Sequence, residues 1–207
     1  MKKTFILLFI AFLIFLTLFA TTVCTEGGGS SGGGSSGGSG DDDDDETPAT
    51  LYAIGDIGPS GVGIVFYITD GGLHGLEAAP SDQSASQAWI TGGSTQTTLN
   101  GNTSTDIGTG LANSNAIIAQ VGHTASAAQV CRSYTGGGLT DWFLPSKDEL
   151  NQLYLQKNTV GGFASEGYWS SSEYNSSFAW GHSFNNGTQY GNRKNLNNHR
   201  VRAVRAF

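Results

Sequence analysis

The side chains from which reaction chemistry could be built are few: four histidines, two cysteines and, beyond the acidic run Asp41–Glu46, one adjacent acidic pair. His74, His123, His182 and His199 are scattered, and no Ser/His/Asp arrangement has supporting spacing. Cys24 ends an apolar leader and Cys131 lies deep in the chain, so no disulfide framework is expected. No Cys/His set for zinc remains. Ser146-Lys147-Asp148-Glu149 has the spacing of a capping box, which with the helix dipole accounts for both carboxylates without acid–base chemistry. The expectation is a protein that is no enzyme, with no cofactor and no metal.

Binding chemistry is a different matter. Tyr168–Phe207 interleaves residues that pack with residues that no core would ask for. Trp169, Trp180, Phe184 and Val204 read as anchors. Tyr, Asn and Ser between them are the chemistry of a contact surface: Tyr offers large area at low entropy cost, and Asn and Ser adapt their hydrogen bonds. The candidate ligand-binding residues are Tyr174, Asn175, Ser176, Ser177, Phe178, Gly181, Ser183, Thr188, Tyr190, Asn192, Asn195, Leu196, Asn197, Asn198 and His199.

A scaffold must position them. Phe178–Arg193 reads as a hairpin turning at Asn186-Gly187, a pair favoured in type I′ turns. Phe184 then faces Gln189 and Ser183 faces Tyr190. Alternation puts Trp180, His182, Phe184 and Gln189 on an inner face, and Gly181, Ser183, Tyr190 and Asn192 on an outer one. His182 is expected as a hydrogen-bonded structural histidine. Residues 200–207 read as one terminal strand. Its apolar spacing of three (Val201, Val204, Phe207) predicts a bulge, or arginines paired with domain carboxylates.

Upstream, Gly61–Ile68 reads as a strand, Asp70-Gly71-Gly72 as a turn and Leu73–Ala79 as the returning strand. Gln87–Ile90 is a further short strand, and 91–110 a long polar loop. Leu111, Ile117, Ile118 and Val121 predict a helix ending near Gly122. Ala125–Tyr134 predicts a second, with Ala127, Val130, Cys131 and Tyr134 on one side and Cys131 a buried apolar residue. A third helix follows Ser146, with Leu150, Leu153 and Tyr154 as its stripe.

At the N-terminus, Lys2-Lys3 and the apolar run Phe5–Ala20 read as a signal peptide or signal anchor over 1–23. Thr21-Thr22-Val23-Cys24 resembles a lipobox, with Val23 where a small residue is usual; lipidation of Cys24, an uncleaved anchor and ordinary secretion stay open. Residues 24–50 are a Gly/Ser and Asp-rich tether, expected to be disordered with a reach of about 25–30 Å as a coil. The domain occupies 51–207, with 168–207 its contact-bearing tail. The net charge of −7 lies largely in Asp41–Glu46. A weakly acidic domain behind an acidic stalk excludes nucleic acid as a partner. Localisation is expected at the cell surface, membrane-tethered through the N-terminus.

Four motifs in order carry a family resemblance: Gly55-Asp56-Ile57-Gly58 with Gly61–Ile68, His74–Pro80, Asp141–Ser146 with Glu149-Leu150, and Tyr168–Glu173. They resemble the Lcl (Legionella collagen-like) C-terminal domain family. That resemblance implies an α+β fold of the C-type lectin-like class, in the variant of formylglycine-generating enzymes, with short twisted antiparallel strands and two to three helices. It implies no formylglycine-type catalysis, because that chemistry uses paired cysteines and the domain has only Cys131. The tail is similar to the variable proteins of diversity-generating retroelements, in which template adenines are randomised. AAC template codons then yield Asn, Tyr, Ser, Phe, Gly, His, Thr, Arg, Leu and a few others, but not Trp, Gln or Lys. Across 174–199 the exceptions are Trp180, Gln189 and Lys194. Residues 200–207 look like the invariant close of such regions.

Two functions are weighed. One is a surface-displayed binder of a protein or cell-surface ligand, diversified in its tail. The other is a fixed-sequence lectin-like adhesin for carbohydrate or a host surface, although neither a Glu-Pro-Asn nor a Trp-Asn-Asp calcium–sugar motif occurs.

Overall fold

The computed structural model describes residues 49–207. The leader, Cys24 and the tether up to residue 48 lie outside the described residues. The domain contains β1 (Ile64–Thr69), β2 (His74–Ala78), β3 (Ser84–Gln87), β4 (Ile90–Thr91), α1 (Gly110–Ile118), β5 (Ala125–Ser126) and α2 (Ala127–Arg132). There follow α3 (Lys147–Leu155), α4 (Lys157–Val160), β6 (Gly167–Glu173), β7 (Phe178–Ser183), β8 (Gln189–Arg193), β9 (His199–Val201) and β10 (Val204–Ala206). Three sheets result, ordered β1-β2-β10, β3-β9-β6-β7-β8 and β4-β5. Every pair is antiparallel except β6 with β9. The class is the expected α+β, with four helices rather than two to three because α4 adds a single turn after α3.

The β1–β2 hairpin forms where the apolar run and Asp70-Gly71-Gly72 place it. Asp70, Gly71 and Gly72 all have positive φ. A side chain on Gly72 would strike the Tyr52 carbonyl, so glycine is required there by contact as well as by dihedral. β1 starts three residues later than expected. Gly58–Gly63 is spent in a turn in which Ser60 Oγ accepts from Gly63 N at 2.8 Å.

The segment expected as one strand at 87–90 is divided. Gln87 ends β3, Ile90 starts β4, and Trp89 between them is buried with its indole N–H donating to Ser170 O at 2.8 Å. α1 stops at Ile118, short of Gly122. Val121, expected on the helix's apolar side, is 94% exposed. α2 starts two residues late: Ala125–Ser126 pair with β4, and Ser126 Oγ caps the helix by accepting from Gln129 N. Cys131 is buried as expected.

α3 begins with the expected capping box. Ser146 Oγ accepts from Glu149 N, and Glu149 Oε2 accepts from Ser146 N at 2.7 Å. Glu149 is buried and also accepts from Gly108 N at 2.8 Å, so it ties the long loop to the helix start. Burial pushes its pKa up against those bonds. Its role is structural.

The last eight residues form two strands instead of one. β9 lies between β3 and β6, the chain crosses at Arg202-Ala203, and β10 joins β2 in another sheet. That change of sheet is why the apolar residues are spaced by three. The arginines pair as expected: Arg200 with Asp82 and Glu166, Arg202 with Asp82, Arg205 with Glu77 and Asp141. One core cluster holds Trp89, Trp142, Trp169 and Cys131, and the other Phe66, Phe143, Leu150, Leu153, Tyr168 and Phe184.

Candidate functional site

The β7–β8 hairpin carries the tail, but its register is slipped by two from the expected one. Gly181 pairs with Tyr190 and His182 with Gln189; Ser183 N donates to Thr188 O at 2.9 Å. Phe184–Gly187 therefore form the connection, in place of Asn186-Gly187 alone. Phe184 causes this. Its ring is buried 4.3 Å from Tyr168 and 4.7 Å from Phe163, its N–H donates to Glu166 O, and Lys157 Nζ takes its carbonyl at 2.7 Å. Burial of one aromatic outweighs the turn preference of the Asn-Gly pair. A slip of two preserves the faces.

One face lies against α3. Lys147 Nζ sits 4.8 Å over Trp180, Gln189 Nε2 donates to Lys147 O at 3.3 Å, and His182 stacks on Tyr154 at 4.6 Å. His182 is buried as expected, and its ring nitrogens make no hydrogen bond of full geometry, with only the Gly187 backbone acting on the ring. Burial lowers its pKa to about 4.

The opposite face was expected to be open, and two positions correct that. Gly181 is buried, and His199 is 3% exposed, stacked 4.1 Å over Trp169. β9 inserts beside β6 and brings His199 across the hairpin. Its Nδ1 lies 2.7 Å from Asn198 Oδ1 and 3.2 Å from Asn192 Nδ2, and its Nε2 lies 2.8 Å from Tyr190 Oη. Asn192 Nδ2 donates to the same Asn198 Oδ1 at 3.1 Å. Burial holds the His199 pKa down to about 4. The ring fits because Gly167 and Gly181 lie beneath it: a Cβ at Gly181 would stand 2.9 Å from Nε2. Tyr190, Asn192, Asn198 and His199 are thus one hydrogen-bonded group, with Ser183 half-buried at its end.

The remaining candidates lie in two loops. In 174–177, Tyr174, Asn175 and Ser176 are exposed, and Asn175 Oδ1 accepts from Ser177 N and Phe178 N, closing the turn. Tyr174 meets Trp180 edge-on at 4.7 Å, and Phe178 lies half-buried under Arg193. In 195–198, Asn195, Leu196, Asn197 and Asn198 are all exposed. Thr188 is exposed at the hairpin tip.

Sequence reasoning missed the pair beneath these loops, Glu173 and Lys194. Both side chains are nearly or wholly buried and in contact. The available signal was Lys194 itself, one of three residues across 174–199 outside the AAC set. Among the described residues, no three His, Cys, Asp or Glu side chains group as a metal site, and no helix is long and apolar enough to cross a membrane.

The family model for the Lcl C-terminal domain matches residues 80–205, from Pro80 after β2 to Arg205 in β10. No curated protein matches the chain.

Proposed function

The chain belongs to the Lcl C-terminal domain family, and from that premise we propose a surface-displayed protein whose tail is diversified to bind changing ligands, chiefly proteins. Family membership points to a surface or adhesin-like ligand-binding domain. The finer reading is supported by one observation. Across 174–199, each exposed residue is one that an AAC template codon can yield: Tyr174, Asn175, Ser176, Asn185, Asn186, Thr188, Arg193, Asn195, Leu196, Asn197 and Asn198. The three that such a codon cannot yield are sheltered: Trp180 and Gln189 half-buried against α3, Lys194 fully buried. Every exposed position is thus open to exchange, whereas Trp180, Gln189 and Lys194 sit where exchange would disturb packing. Binding proceeds without turnover. The apolar leader, or a lipid on Cys24, would hold the domain on the outer side of a membrane.

The neighbouring DNA tests diversification. The expected finding is a near-copy of the tail codons differing at adenines, beside a reverse transcriptase gene. Its absence would return the protein to a fixed-sequence adhesin. Ligand capacity is tested by randomising Tyr174–Ser176 and Asn195–Asn197 in the full chain and selecting on immobilised hen lysozyme. Folded binders are expected; a library that folds but yields none would count against a ligand surface here.

A further inference from the structure

The two exposed tail loops leave the same end of the paired strands β7 and β8, where Phe178 pairs with Arg193, and both lie over one buried ion pair. Lys194 Nζ has three protons and three acceptors: Glu173 Oε1, Ser176 O at 2.9 Å and Thr98 O at 3.2 Å. The ammonium also lies 5.0 Å from the Trp89 ring. Glu173 accepts in turn from Asn100 N at 2.9 Å and Gly101 N at 3.1 Å. The Lys194 backbone N–H donates to Ser177 O at 3.1 Å. Segment 98–101, loop 174–177 and the start of loop 195–198 are therefore held by one carboxylate and one ammonium. Within 98–101, Leu99 is 58% exposed.

We propose that Glu173 and Lys194 are positioning residues that assemble a three-loop ligand surface, in which 98–101, outside the tail, stands as a fixed third loop beside the two exchangeable ones. This rests on the reading of the tail as a ligand surface. The chemistry suits the task. An apolar pair could fill the same space, but it could not satisfy the four backbone groups of 98–101 and 174–177 that these two side chains bond. A buried ion pair is a weak source of net stability against well-packed apolar residues, whereas it fixes geometry through its directional bonds. Loops held in place before binding lose less entropy on contact. It also accounts for a lysine in a stretch otherwise free to vary: any exchange at 194 would release three loops together.

The test uses the full chain and a lysozyme binder selected as above. E173Q/K194M removes both charges, so no lone buried ion is left to unfold the protein. Hydrogen exchange of the free variant is expected to quicken at Asn100 and Gly101, whose amides donate to Glu173. Lysozyme affinity is expected to fall about tenfold or more from lost preorganisation, with Tm little changed. In the parent complex, the exchange footprint is expected to cover 98–101 as well as both tail loops. Unchanged exchange in the free variant would overturn the positioning role. Unchanged affinity with quickened exchange would overturn its part in binding. A footprint confined to 174–199 would remove the third loop. If the library gives no binder at all, the ligand-surface reading falls and the three-loop surface with it, while the exchange result still shows separately whether the pair holds the loops.

Discussion

The exposed loops 174–176 and 195–197 and the hydrogen-bonded group around the buried His199 are built from the same few residue types, Asn, Tyr, Ser and His, yet they do opposite things. In the loops, side chains point to water, and backbone bonds or the side chains of Asn175 and Lys194 set the shape. Around His199, side chains bond one another, and Gly181 must stay small for the ring to lie on Trp169. A polar, aromatic-rich composition therefore does not by itself mark a contact surface. What separates the regions is whether a neighbouring strand covers them.

The largest effect should come from breaking the support shared by the loops. Lys194→Ala leaves Glu173 buried without its cation and should cost about 3–5 kcal/mol, read by urea denaturation. A cost near zero would make the pair dispensable and the loops independent of their base.

A smaller change should follow pH. Burial holds His182 and His199 at about 4, against an ordinary 6.5. The unfolded chain then binds more protons between those values. Stability present above about pH 6.5 is lost as pH falls toward 4, on the order of 3 kcal/mol per histidine. His199→Phe and His182→Phe should each flatten the urea-midpoint profile over that window. A profile unchanged by His199→Phe would mean that the ring is not buried in the neutral form.

Gly181→Leu should cost about 1–3 kcal/mol by driving His199 off Trp169, and His199→Ala should restore part of the loss. Additive losses in this double-mutant cycle would separate the two positions. The smallest effect is expected in the loops: Asn195→Ala, Leu196→Ala and Asn197→Ala should each shift stability by no more than about 0.5 kcal/mol. A larger shift in thermal unfolding would erase the contrast between the regions.

Legibility in the sequence follows the range of the interactions. The capping box at Ser146, the β1–β2 turn and the buried face of α2 are set within a few residues, and local pattern is enough to find them. The assignment of Trp180, His182 and Gln189 to one face also survives, because a slip of two residues conserves alternation. The slip itself was hidden: it depends on Phe184 finding Tyr168 and Phe163 in space. The burial of Gly181 and His199 was hidden for the same reason. It needs β9 to insert beside β6, a parallel pairing that no local period records. Lys194 was visible as an oddity, but its partner Glu173 sits 21 residues upstream at the end of β6.

The change of sheet at Arg202-Ala203 gives the end of the chain a further importance. Because β10 closes the edge of β2 and Phe207 packs edge-on to Tyr52 at 5.2 Å, the first and last parts of the domain are buttoned together. A tail shortened by a stop codon or scrambled by a shifted frame would lose that button, leave β2 with a bare edge and strip Val204 from the core. Folding thus depends on residues 202–207 as much as on β2: a chain without them is expected to be less stable, read by urea denaturation.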